Sequence, residues 1–135
     1  IKKIKKSILI IMGKAALNFG EKINNQQEIL MNISDMIIEL YAFESLILRT
    51  NKMYISNPNS ILLDIAQSSM YESSNKIYSS GFEGLCNFLE GDDLDSMILA
   101  LKEYTTYEYF NLKESRRKIA DHFIKKESYK LFKIL

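Results

Sequence analysis

Gln26–Arg49, QQEILMNISDMIIELYAFESLILR, is the longest unbroken helical pattern in the chain. Its apolar residues Ile29, Ile33, Met36, Ile37, Leu40, Phe43 and Ile47 recur in three- and four-residue steps, the spacing that keeps one face of an α-helix buried. Asp35, Glu39 and Arg49 lie largely off that stripe. Asn25 and Glu28 have the spacing of a capping box, with asparagine in the place of the usual hydroxyl residue, so the helix is expected to start there. It should continue to about Tyr54, giving a rod of roughly 40 Å, long enough to set the length of a bundle. Ser56-Asn57-Pro58-Asn59-Ser60 ends it, because the proline disfavours helical geometry at Asn57 and its neighbours are turn formers.

Shorter helical patterns lie on either side. A first helix is expected from about Ile4 to Phe19, with Ile4, Ile8, Ile11 and Ala15 facing inward and Gly20 as the residue that leaves helical geometry. Ser60 can cap a third helix, about Ile61 to Leu89, whose inward set is Leu62, Ala66, Met70, Ser73, Ile77, Gly81, Gly84, Leu85 and Phe88. Glycine inside a helix costs about 1 kcal/mol against alanine, so Gly81 and Gly84 point to close helix packing at that face. Asp92 and Asp93 are expected to cap and electrostatically complement the start of a fourth helix, about Leu94 to Tyr104, with Met97, Ile98 and Leu101 inward. Asn111 and Glu114 offer another capping box for a last helix, about Leu112 to Lys126. No stretch alternates like a strand and no repeat is evident, so the expected fold is all-α, an up-down bundle of four to five helices with two long central ones.

Composition narrows the class. A chain of 135 residues is expected to be one domain, 1–135, able to bury roughly two-thirds of its unfolded surface without staples. One cysteine, Cys86, and one histidine, His122, exclude an internal disulfide and a structural zinc site, and fit a reducing compartment, read here as cytoplasmic. Eighteen basic against 17 acidic residues leave a net charge of +1, with no electrostatic footprint for nucleic acid. The apolar run Ile8–Met12 behind Lys2, Lys3, Lys5 and Lys6 is too short for a signal sequence and far below the roughly 20 residues that cross a bilayer. Ile1 in place of an initiator methionine fits a piece of something longer.

The order of residues adds what periodicity does not. Lys5-Lys6-Ser7-Ile8-Leu9 running on to Phe19-Gly20-Glu21-Lys22, then Gln27-Glu28-Ile29-Leu30-Met31-Asn32-Ile33-Ser34-Asp35-Met36 continuing into Tyr41-Ala42-Phe43-Glu44-Ser45, and finally Arg116-Arg117-Lys118-Ile119-Ala120-Asp121, resemble in chain order the C-terminal helical extension of acyl-CoA dehydrogenases of the longer bacterial and very-long-chain type. The likeness spans almost the whole chain, although Ile55–Asp93 matches in pattern alone. None of these stretches is a catalytic motif. The resemblance implies an accessory domain that follows a flavoprotein core, with the catalytic glutamate and the FAD site upstream of this segment. It also implies the core as partner and subunit contacts of a homodimer.

Individual residues have chemistry of their own to consider. Asp92, Asp93 and Asp95 could attract a divalent cation, but their spacing lacks the glycine and terminal glutamate of a calcium loop, and helix capping uses the same residues; no metal site is assigned. His122, with Asp121 and Arg117 nearby in sequence, has no nucleophile beside it and is expected at the surface. Cys86, next to Leu85 and Phe88, is expected to be buried and inert. Tyr104, Tyr107, Tyr109 and Phe110 could line an acyl-chain pocket, but closing the bundle end or a dimer contact fits aromatic residues at a helix break better. Tyr129–Leu135 carries the same ambiguity. The lysines Lys2, Lys3, Lys5 and Lys6 ahead of an apolar run could touch an anionic membrane weakly; the simpler reading is a solvated helix face.

No catalytic or cofactor-binding residue is assigned, and no cofactor is expected in this segment. The expected function is that of a non-catalytic accessory and oligomerisation domain of an FAD-dependent acyl-CoA dehydrogenase acting in fatty-acid β-oxidation. The alternative is a stand-alone helical module for protein interaction or peripheral membrane association. An enzyme in its own right would bind FAD and be yellow.

Overall fold

A computed structural model describes residues 1–126, and Tyr129–Leu135 lies outside the described residues. The chain runs through α1 (Lys2–Phe19), a 3₁₀ turn (Gly20–Asn25), α2 (Gln27–Ser56), α3 (Ser60–Cys86), α4 (Gly91–Thr105) and α5 (Leu112–Lys126). Among the described residues there is no strand. The expected all-α bundle is therefore what forms, and its two longest helices, α2 and α3, are 30 and 27 residues long.

α3 is the central rod. It touches each of the other four helices and packs most extensively on α2, while α1 covers α2 and α4. The α2–α3 pair is antiparallel: Asn32 lies against Gly84, Met36 against Gly81, and Glu39 against Ser73. A Cβ at Gly81 would come within 3.0 Å of Met36 and of Leu101, and one at Gly84 within 3.2 Å of Asn32 Cβ. The glycines thus mark close approach of α2 and α4 to α3, as their sequence positions required.

The inward stripe of α1 forms as expected, with Ile4, Ile8, Ile11 and Ala15 all buried. On α2, Ile29, Ile33, Met36, Leu40 and Phe43 are buried and Ile47 packs against the core, but Ile37 is exposed. Asn32 takes a buried place instead, its amide donating to the Glu28 carbonyl at 3.1 Å, which keeps one polar donor satisfied inside the seam. Ile37 lies about 100° around the helix from Met36, beyond the arc that α1 and α3 cover. In α3, Leu62, Ser73, Ile77, Gly81, Gly84 and Leu85 are buried, whereas Ala66 and Met70 are half-buried.

Helix ends depart from the expected caps. Gly20 has φ 53°, a conformation costly for other residues, and its N–H bonds the Ala16 carbonyl. The 3₁₀ turn that follows carries the chain through Asn25, so Asn25 is not in the extended geometry of an N-cap; Gln26 takes that place without a side-chain bond. The cap of α3 is Asn59 rather than Ser60, its Oδ1 accepting from Ile61 N at 3.1 Å. α3 ends at Cys86, short of Leu89, where the Asn87 N–H closes onto the Glu83 and Gly84 carbonyls; Phe88 and Leu89 still pack into the core from the turn. Asp92 and Asp93 sit in the first turn of α4 behind Glu90, with no side-chain cap, so they complement the helix dipole without capping it. Half of the last capping box forms: Asn111 Oδ1 accepts from Glu114 N at 3.1 Å.

Candidate interaction surface

The residues with potential chemistry are dispersed. Asp93 pairs with Lys14 at 2.7 Å and so ties α4 to α1, a structural use that needs no ion. Among the described residues no group of histidine, cysteine, aspartate and glutamate side chains could hold a metal. Cys86 is exposed, contrary to expectation, because the last turn of α3 sends Gly84 and Leu85 inward and leaves Cys86 outward. Arg117 engages Glu114 at 3.8 Å.

His122 is not the fully solvated histidine that the sequence suggested. It is half-buried, its ring meets that of Phe123 edge-on at 5.6 Å, and its Nε2 is buried without a hydrogen-bond partner among the described residues. It borders an open cleft of about 320 Å³ where α5 passes the start of α3, together with Asp64, Lys118 and Asp121. Two cations and two carboxylates line that cleft, so it offers neither an anion nor a cation site. The aromatic cluster also has a plain role. Tyr107 stacks edge-on with Tyr71 and Tyr109, and Arg116 lies over the Tyr71 ring at 5.7 Å, closing the end of the bundle where α4 meets α5. The neighbouring open cleft, about 260 Å³, has Tyr78, Tyr107 and Tyr109 along its wall beside Ser74, Asn75, Lys102, Thr105 and Thr106, so these tyrosines border a surface cleft of mixed polarity.

A different feature stands out on the outer side of the α1–α2 hairpin. Leu9 is 66% exposed, Ile38 64% and Tyr41 74%, and Met12, Leu17, Met31 and Ile37 are exposed with them. The Lys5–Glu44 ion pair, 2.7 Å, fixes the antiparallel register, so Leu9 comes level with Tyr41, and Met12 with Ile37. These side chains therefore form one surface straddling the groove between two helices. The inward periodicity of α2 conceals it, because a stripe of buried residues says nothing about apolar residues left on the opposite side. Its sequence signal is Met31, Ile38, Tyr41 and Leu48, which stand seven, three and seven residues apart and so share an outward face of the same helix.

A helical packing domain with an uncovered apolar face is the class that this geometry defines. The family model described as "Acyl-CoA dehydrogenase, C-terminal domain" matches residues 3–103. This chain belongs to that family. It is 33% identical to a probable acyl-CoA dehydrogenase of Bacillus subtilis (strain 168), over 96% of this chain and 22% of that protein. A crystal structure of an acyl-CoA dehydrogenase complexed with FAD from Bacillus anthracis superposes with a TM-score of 0.89 at 31% identity, covering 96% of this chain and 23% of that one. The chain thus spans under a quarter of the length of these relatives.

Proposed function

We propose that residues 1–135 act as a non-catalytic accessory domain of an FAD-dependent acyl-CoA dehydrogenase, packing on the catalytic core of a longer polypeptide and contributing to its subunit contacts. The observation that carries this reading is the pairing of near-complete coverage of this chain with coverage of only 22% and 23% of its relatives. The substrate class would be acyl-CoA esters, with proton abstraction and hydride transfer to flavin performed by upstream residues. None of the side chains followed above is paired as a nucleophile with a base among the described residues.

Homodimerisation belongs to this reading through the subunit contacts of the longer polypeptide. A peripheral membrane contact has less support. Lys5 is engaged by Glu44, which leaves Lys2, Lys3 and Lys6 as the cationic end of α1, and no helix among the described residues is long and apolar enough to cross a membrane. A cytoplasmic location accords with this reading.

Absorption spectra test it. The longer polypeptide should carry flavin and oxidise an acyl-CoA, while the purified 135-residue chain should show no flavin band after incubation with FAD. Flavin bound stoichiometrically by the short chain would overturn the proposal.

A further inference from the structure

We infer that the α1–α2 outer face is the seat of the catalytic portion of the same polypeptide, and not a surface for a second copy of this domain. The inference rests on the accessory-domain reading above and adds the face, its residues and the chemistry of its partner. Exposed large apolar side chains on the described residues are unevenly spread. Most belong to α1 and α2, whereas α3, α4 and α5 contribute separated ones such as Leu63, Leu99 and Ile124. Scattered single residues need no explanation; a contiguous set does.

The eight exposed apolar residues of this face, Leu17 and Leu48 included, at roughly 100 Å² each, offer on the order of 800 Å², above the usual range for a patch on a monomer. A free-standing interface typically takes about 800 Å² from each partner, so this face is large enough to be covered by another body. Covalent attachment favours a partner on the same polypeptide over a second copy, because a linked partner is present at an effective concentration in the millimolar range. More than three quarters of the relatives' length lies outside the region matched here, so a linked partner of ample size exists in them.

The surface also specifies what would fit. Gly13 and Ala16 lie on the outer side of α1, and a Cβ at Gly13 would meet nothing within 4 Å, so a partner's side chains can approach the helix closely there. Lys2, Lys3 and Lys6, all exposed, border the patch at the start of α1. The complementary surface is therefore apolar with carboxylates along one edge.

Hydroxyl-radical footprinting of the longer polypeptide tests this, with Tyr109, exposed on the segment between α4 and α5, as reference. After normalisation for intrinsic reactivity, Met12, Met31 and Tyr41 should label roughly tenfold more slowly than Tyr109, as expected for a closed interface, and dilution to the monomer should not change this. Ile38→Asp, at a position exposed in the domain itself, should restore labelling of Met31 and Tyr41 with helix content unchanged; protection surviving this substitution would count against the face. Labelling of all three at the Tyr109 rate would overturn the inference, and so would protection lost in step with subunit dissociation, which would assign the face to a second copy. If Ile38→Asp does not fold, the dilution series of the wild-type protein decides alone. Deleting residues 1–135 separates the two levels. A flavoprotein unchanged in stability and assembly would sink the accessory-domain reading, whereas one destabilised by the deletion, together with Tyr109-rate labelling of the α1–α2 face in the undeleted protein, would sink only this inference.

Discussion

The two sides of α3 are built by different rules. Toward α2 and α4, its contacts are close and chiefly apolar, with the Ser73–Glu39 hydrogen bond at 2.7 Å among them: Ile77 and Leu85 are fully buried, and glycine at 81 and 84 lets Met36, Leu101 and Asn32 come into direct contact with the helix. Toward α5, the contacts are polar. Ser115 Oγ donates to Asp64 Oδ1 at 2.8 Å inside the seam, Lys118 stands 3.9 Å from the same carboxylate, and Arg116 reaches Glu72 at 2.9 Å near the surface. Apolar burial is non-directional and supplies most of the driving force, whereas a buried hydrogen bond is worth little net but is expensive to break on one side. The first side accordingly holds the bundle together, and the second sets where α5 lies.

Substitutions on each side should separate these roles. Ile77→Ala removes a side chain with 0% exposure and should cost about 3 kcal/mol, read as a large fall in thermal midpoint or in the denaturant midpoint. A loss below about 1 kcal/mol would mean that the α2–α3–α4 side is less tightly packed than its geometry indicates. On the polar side, Asp64→Ala leaves the Ser115 hydroxyl without its acceptor and should cost about 2 kcal/mol, while the double substitution Asp64→Ala/Ser115→Ala should recover a measurable part of it. Strict additivity in that double-mutant cycle would break the comparison, since the pair would then carry no coupling.

The smallest effects are the most discriminating. Gly81 is hemmed in by the flexible ends of Leu101 and Met36, which can shift, so Gly81→Ala should be near neutral once the helix-propensity gain of about 1 kcal/mol is counted. Gly84 faces Asn32 Cβ, which is fixed to the α2 backbone, so Gly84→Ala should destabilise by about 1 kcal/mol despite the same gain. Paired denaturant titrations check the order. Equal effects would mean that α2 moves as a whole and that the seam is not closely fitted.

The polar side is barely visible in the sequence. Ser115 sits in the stretch Glu114–Arg117 and Asp64 among leucine, isoleucine and alanine, and nothing in either neighbourhood announces a bond across 51 positions. The apolar side is legible, because Ile77, Gly81, Gly84 and Leu85 share one face at helical spacing and interior glycines are costly unless something packs on them. Capping follows the sequence at Asn111, whose side chain takes up the Glu114 N–H. It departs from the sequence at Asn25, which the 3₁₀ turn after Gly20 has already consumed.

Local order in this chain determined helix number, helix faces, the breaks at Gly20 and Pro58, and through its residue order the family, because each depends on neighbours within a few positions. Tertiary structure decided the fate of Cys86, Ile37 and His122, the choice of α3 as the central rod, and the apolar face left open on α1 and α2. Those outcomes depend on which arc of each helix its partners reach, and an arc covered by a distant segment has no local signature. The same residues Leu9, Ile38 and Tyr41 would read as core if another body lay across them, and more than three quarters of the relatives' length lies outside the part that these 135 residues match.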